Sequence, residues 1–84
     1  MASNQRFLNK VVIVTGAAQG IGRGVATQVA AEGAQVVLAD RSDYVEDTLI
    51  EIKAAGGQAV TIQADLETYA GAESVVAKAL ASYG

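Results

Sequence analysis

The sequence predicts an α/β unit in which three parallel strands alternate with three helices in the order βαβαβα. Three observations carry that prediction. Short apolar stretches recur near residues 11–14, 36–39 and 58–63, each strand-like in length. Between and after them lie segments whose apolar residues return every three or four positions, the period of a helix with one covered face. Glycines punctuate the junctions, at Gly16 to Gly22, Gly33 and Gly56-Gly57. Parallel strands need helical crossovers, so a sheet with helices on both faces, three layers in all, is the economical arrangement.

Eighty-four residues allow at most one small domain, residues 1–84. A chain of this length buries only a little over about 60% of its unfolded surface, so its margin of stability is narrow. Half the residues are apolar and few are aromatic, a globular composition. The absence of Cys excludes disulfide and thiolate chemistry, and the absence of His removes the commonest metal ligand and general base. Nine acidic side chains outnumber six basic ones without a basic stripe, which argues against nucleic acid and acidic membrane surfaces as partners. No apolar stretch approaches the roughly eighteen residues of a membrane span, so a cytoplasmic location is the default expectation.

Residues 1–9 are polar apart from Phe7 and Leu8. They read as a lead-in whose Phe7 tucks against the sheet, or else as a loose tail. Residues 10–15 form the first strand, and the run Val11, Val12, Ile13, Val14 predicts burial on both faces. The stretch Thr15-Gly16-Ala17-Ala18-Gln19-Gly20-Ile21-Gly22 follows directly. Its glycines suit a tight strand exit at Gly16, close approach of a ligand at Gly20, and close packing of helix on strand at Gly22. The helix it opens presents free N–H groups and a positive dipole end, which favour an anion.

That helix runs over about residues 20–32, with Ile21, Val25 and Val29 expected on the inner stripe beside Ala26 and Ala30, and Gly33 as its C-cap. Residues 35–39 form the second strand, ended by Asp40. The second helix spans about 43–55, capped by Ser42 or Asp43, with Val45, Leu49 and Ile52 inward and Gly56-Gly57 as its stop. Asp43, Glu46 and Asp47 sit where a helix N-terminus favours negative charge, a solvated face more than a metal site. Residues 58–63 form the third strand, leading into Ala64, Asp65 and Leu66. Thr68 caps the third helix, whose inner face holds Ala72, Val75, Val76, Ala79, Leu80 and Tyr83, with Gly84 closing it.

The pattern Thr-Gly-xxx-Gly-Ile-Gly after such a strand resembles the cofactor motif of the short-chain dehydrogenase/reductase family, whose members bind NAD or NADP. The resemblance implies the first half of a Rossmann-type fold, ending before a fourth strand, with Gly16, Gly20, Ile21 and Gly22 holding a diphosphate. Asp40, eighteen residues after Gly22, stands where a carboxylate accepts from both hydroxyls of an adenosine ribose and repels the extra phosphate of NADP, so NAD is the implied cofactor. Gln19 is neutral where NADP-preferring members often carry a basic residue. Arg41 follows the acid instead of replacing it, and either covers the adenine or pairs with an acid at the surface. Asp65 and Leu66 match the acidic-then-apolar pair that meets adenine; alternatively Asp65 only ends a strand and caps a turn. Thr15 resembles the motif threonine that ties strand ends together.

Family members use a Tyr-xxx-Lys pair helped by Ser and Asn, in which the lysine lowers the tyrosine pKa for proton exchange with substrate. None of it occurs here: Tyr44 is followed four places on by Thr48 and Tyr69 by Glu73, and Tyr83 lies near the end. The three tyrosines read as partly buried helix residues, the chain is expected to be inactive alone, and no residue is assigned a catalytic role. More narrowly, Gln5-Arg6-Phe7, Ala18-Gln19-Gly20-Ile21-Gly22-Arg23-Gly24, Ala31-Glu32-Gly33-Ala34, Val37-Leu38, Asp40-Arg41-Ser42 and Ala64-Asp65-Leu66-Glu67 resemble the family's benzoate-diol branch. That likeness implies oxidation of a carboxylated cis-diol to a catechol with loss of carbon dioxide. The implied partners are NAD and the C-terminal half of the fold, and an unpaired first strand predicts a homo-oligomer. The alternative is a non-catalytic half-fold that self-associates and binds nucleotide weakly or not at all.

Overall fold

The computed structural model describes residues 6–65 and 67–83. Three strands, β1 (Val11–Thr15), β2 (Gln35–Asp40) and β3 (Gln58–Gln63), alternate with helices α1 (Gly20–Ala31), α2 (Val45–Ala54) and α3 (Tyr69–Tyr83). The strands form one parallel sheet in the order β1-β2-β3, with Val14 opposite Leu38 and Leu38 opposite Thr61. Side chains alternate across the central strand. Val36 and Leu38 join a core built with Val14, Ala26, Val29, Val45 and Ile52, while Val37 and Ala39 meet Val75 and Ala79 on the other face. Helices α1 and α2 therefore cover one side and α3 the other, the three-layer Rossmann-like arrangement the sequence predicts.

The expectation that the first strand is buried on both faces is corrected. Val14 is buried, but Val11 and Ile13 are each 41% exposed. Burial on two faces belongs to β2, which has a strand on either side. β1 has a neighbour on one side only, and the buried positions of α3 sit over β2.

The inner stripe of α1 is also corrected. Ala26, Val29 and Ala30 are buried, whereas Val25 is exposed and Ile21 is 87% exposed. Gly22 explains the phase: a Cβ there would overlap the Gly16 carbonyl group, so the glycine must face the strand exit. Positions 26, 29 and 30 follow it inward, and Ile21 and Val25, rotated about 100° and 60° from Gly22 away from that stripe, turn out. The same logic narrows α3. A Cβ on Gly71 would overlap the Asp65 carbonyl, which sets 71, 75 and 79 inward. Val75 and Ala79 are buried and Tyr83 is half-buried, while Ala72, Val76 and Leu80 are exposed against expectation.

Thr68 caps α3 as predicted, its hydroxyl accepting from the Gly71 N–H at 3.0 Å. Gly84 lies outside the described residues. Helix α2 starts two residues later than predicted, because residues 42–44 form a turn in which the Ser42 hydroxyl accepts from the Tyr44 N–H at 3.1 Å. Tyr44 stands at the N-cap without a side-chain cap, and Glu46 and Asp47 occupy the first turn. Both α1 and α2 end in the expected glycine caps: the Ala34 N–H reaches the Val29 carbonyl at 3.1 Å and the Gly57 N–H reaches that of Ile52 at 2.9 Å.

Phe7 packs against the larger core, as predicted, and its N–H donates to the Glu32 carbonyl at 2.9 Å. The Glu32 carboxylate is buried and accepts from Arg6 Nε and from Gln28 Nε2, the latter at 2.8 Å. The Arg6 hydrogen bond, then that of Gln28, holds the Glu32 carboxyl below the usual range. Residues 1–5, the rest of the lead-in, lie outside the described residues.

Candidate functional site

Parallel strands bring their carboxyl ends to one edge, so Thr15, Asp40 and Gln63 close the same end of the sheet. A cleft of about 330 Å³ opens there, lined by Thr15, Gly16, Asp40 and Arg41 on one side and by Ala64, Asp65 and Glu67 on the other. A concavity of similar size, about 340 Å³, lies at the opposite end beside Leu8, Ala30, Gly33, Ala55 and Gln58. It has no charged side chain in its lining. Chemistry, not volume, distinguishes the two.

The glycine turn is pinned from two elements. Gly16 and Gly20 take φ of +65° and +64°, conformations that admit glycine without strain. Between them Ala17 and Ala18 are buried. The Ala17 N–H donates to the Ala39 carbonyl at 3.3 Å, the Ala18 N–H to Asp40 Oδ2 at 3.0 Å, and the Thr48 hydroxyl to the Ala17 carbonyl at 2.7 Å. Beyond the turn, Gln19 is the extended N-cap of α1 and makes no side-chain cap bond. The first N–H groups of a helix have no intrahelical acceptor, and a ligand anion is one way to satisfy them.

Asp40 is half-buried, and its second oxygen accepts from the Ser42 N–H at 3.0 Å. Each carboxylate oxygen keeps a further lone pair. Arg41 pairs with Glu67 at 3.9 Å, both side chains largely exposed, the surface pairing that is one of its two expected roles. Asp65 accepts from the Glu67 N–H at 3.0 Å and its carbonyl accepts from the Thr68 hydroxyl at 2.9 Å, the turn-capping role foreseen as an alternative.

Gly16, Asp40, Arg41 and Asp65 thus share one cleft. Gln19, Gly20, Ile21 and Gly22 stand beside it at the head of α1, the Ile21 side chain turned to solvent. Leu66 lies outside the described residues. Among those described, Thr15 is tied to β2 by its ladder pairing with Ala39, and further ties run through Ala17 to Ala39, Ala18 to Asp40 and Ala64 to Asp40. Tyr44 is exposed, correcting the partly buried reading, and Tyr83 is half-buried with its pKa raised by burial. Neither lines the cleft.

Sequence reasoning missed Thr48 and Glu67. Thr48 sits three residues after Val45 and four before Ile52, and a hydroxyl inside an inner stripe was the available signal. Glu67 carried none, because its pairing with Arg41 depends on how β3 returns beside β2. Among the described residues no group of three or more acidic side chains is placed to hold a metal, and no helix is long and apolar enough to cross a membrane.

A parallel sheet, a glycine turn opening a helix at a strand end, and a carboxylate closing the next strand define a Rossmann-like unit. The chain belongs to the short chain dehydrogenase family, whose model matches residues 10–84. It is 63% identical over 84 residues to the 1,6-dihydroxycyclohexa-2,4-diene-1-carboxylate dehydrogenase of Acinetobacter baylyi, covering 100% of this chain and 32% of that protein. Among solved structures, a hydroxysteroid dehydrogenase from Escherichia coli superposes with a TM-score of 0.93 at 32% identity, covering 100% of this chain and 36% of the other. A metagenomic short-chain oxidoreductase in complex with NADP superposes with a TM-score of 0.86 at 34% identity, over 93% of this chain and 36% of that one. The chain therefore spans about a third of the length of the relatives it matches.

Proposed function

We propose that residues 1–84 are the NAD-binding portion of an oxidoreductase that oxidises a cis-dihydrodiol carboxylate to a catechol. The observation that carries the cofactor reading is the convergence of Gly16, Asp40 and Asp65 on one cleft at the carboxyl ends of the strands. Backbone N–H groups at Gly16, Gln19, Gly20, Ile21 and Gly22 hold the diphosphate, and Asp40 accepts from the adenosine ribose. Asp65 accepts from the adenine amino group, beside Leu66. Bound NAD supplies the hydride acceptor; this chain's residues bind and orient it, and by themselves turn nothing over. The substrate reading rests on the 63% identity to the Acinetobacter baylyi dehydrogenase.

Charge decides between NAD and NADP. A carboxylate and a ribose phosphate about 4 Å apart repel by roughly 4 kcal/mol at an effective dielectric constant near 20. Arg41 is the cation at hand to offset that, but it is exposed, screened and already beside Glu67. Calorimetric titration of the chain tests the reading. NAD and adenosine diphosphate ribose bind, NADP binds at least about tenfold more weakly, and Asp40→Ala removes binding. Equal affinity for NAD and NADP overturns the assignment.

The exposed Val11 and Ile13 on the β1 edge favour a second reading, self-association through that edge. Sedimentation that shows only monomer at high concentration excludes it.

A further inference from the structure

Thr48 has no contact with the proposed ligand cleft, yet it is a fully buried polar side chain joined to the glycine turn. A threonine inside a helix ordinarily satisfies its hydroxyl on a carbonyl three or four residues earlier in the same helix. Thr48 instead reaches the Ala17 carbonyl, 31 positions away in sequence, at 2.7 Å, with the Ala18 carbonyl at 3.5 Å. Both partners are buried, so each loses its water and depends on the other.

The bond has a directional consequence. The turn lies between Gly16 and Gly20, both at positive φ, and glycine on each side makes rotation of the intervening peptides cheap. A carbonyl rotated toward the head of α1 would face an incoming anion with an acceptor instead of a donor. β2 restrains the turn through the N–H groups of Ala17 and Ala18. Thr48 restrains it through the opposite pole, the Ala17 carbonyl, from α2.

We propose that Thr48 is a positioning residue for anion binding: it holds the Ala17 carbonyl inward and so keeps the N–H groups that follow free for a diphosphate. Its consequence for affinity rests on the NAD reading; its hold on the turn does not. Thr48→Val keeps the shape and removes the donor, and Thr48→Ser keeps the donor and removes the methyl.

The test combines amide exchange on the unliganded chain with calorimetric titration of NAD. In Thr48→Val the Ala17 and Ala18 amides exchange about tenfold faster and the Kd for NAD rises about tenfold, the weight of one hydrogen bond. The Val36, Val37 and Leu38 amides keep their protection, and Thr48→Ser returns both quantities toward those of the unaltered chain. Unchanged exchange and affinity in Thr48→Val overturns the proposal, as does an equal loss in Thr48→Ser, which would assign the effect to methyl packing. Faster turn exchange with unchanged NAD affinity also overturns it. Failure of the unaltered chain to bind NAD overturns the cofactor reading instead. The exchange comparison then decides alone: faster exchange in Thr48→Val but not in Thr48→Ser supports the role, and equal exchange overturns it.

Discussion

β1 and β2 are close in composition and differ sharply in burial. Paired in register, Ile13 lies beside Val37 and Val14 beside Leu38. Val36, Val37, Leu38 and Ala39 are nonetheless fully buried, while Val11 and Ile13 keep 41% of their surface exposed. The difference is in neighbours, not in residues. β2 has a strand on each side and helices on both faces, and β1 has one neighbouring strand. An apolar run specifies a strand, and the strand order specifies how dry it becomes. The exits differ as well. β1 ends in a steric contact with Gly22, whereas β2 ends in the Asp40 carboxylate, which accepts from the Ala18 N–H of the turn and from the Ser42 N–H.

The largest effect expected from this contrast is in core truncation. Leu38→Ala should cost about 2–5 kcal/mol through lost burial and a residual cavity. Ile13→Ala should cost about 1 kcal/mol, since nearly half of that side chain is already in water. Denaturant midpoints of the two variants check this, and equal losses would break the comparison.

Gly22→Ala comes next. The added methyl overlaps the Gly16 carbonyl group and pushes α1 off the end of β1, at about 1–3 kcal/mol. Gly24→Ala, two residues on with nothing within 4 Å of the added atom, should stabilise by about 0.4–1 kcal/mol. Thermal unfolding of the pair should move in opposite directions; a shared sign would remove the steric account of the β1 exit.

The smallest effect concerns the lead-in to β1, which is held by the Glu32 carboxylate. Its folded pKa lies below the unfolded one because Arg6 and Gln28 bond the charged form. The stabilisation is therefore complete above the ordinary carboxylate value of about 4.3 and disappears as pH falls through the lower folded value. Amide protection at Phe7 should decline on acidification before that of Val37. Glu32→Gln should remove this pH dependence, and a Phe7 profile unchanged by the substitution would show that the backbone bond alone suffices.

Within the site, what was legible followed from local signals. Gly16, Gly20 and Gly22 announce a turn by themselves, and Asp40 and Asp65 are polar residues closing apolar runs. Parallel pairing then brings Asp40 and Asp65 to one edge without further information. Thr48 and Glu67 were not legible as site residues. The Thr48 partner is 31 residues distant, and Glu67 meets Arg41 across an intervening helix and strand. Neither relation leaves a trace in periodicity or spacing.

By itself the sequence determined the six elements, their order, both glycine helix stops and the turn with its flanking carboxylates. Each of these depends on residues within a few positions of one another. Only the tertiary structure decided which faces are covered. Contact of Gly22 with the Gly16 carbonyl and of Gly71 with that of Asp65 set the rotation of α1 and α3, which left Ile21, Val25, Val76 and Leu80 in water despite an apolar period that pointed them inward. Side-chain pattern limits a helix to a broad stripe. The point where its backbone touches another backbone chooses the line within that stripe, because overlap of atoms costs more than exposure of a methyl group.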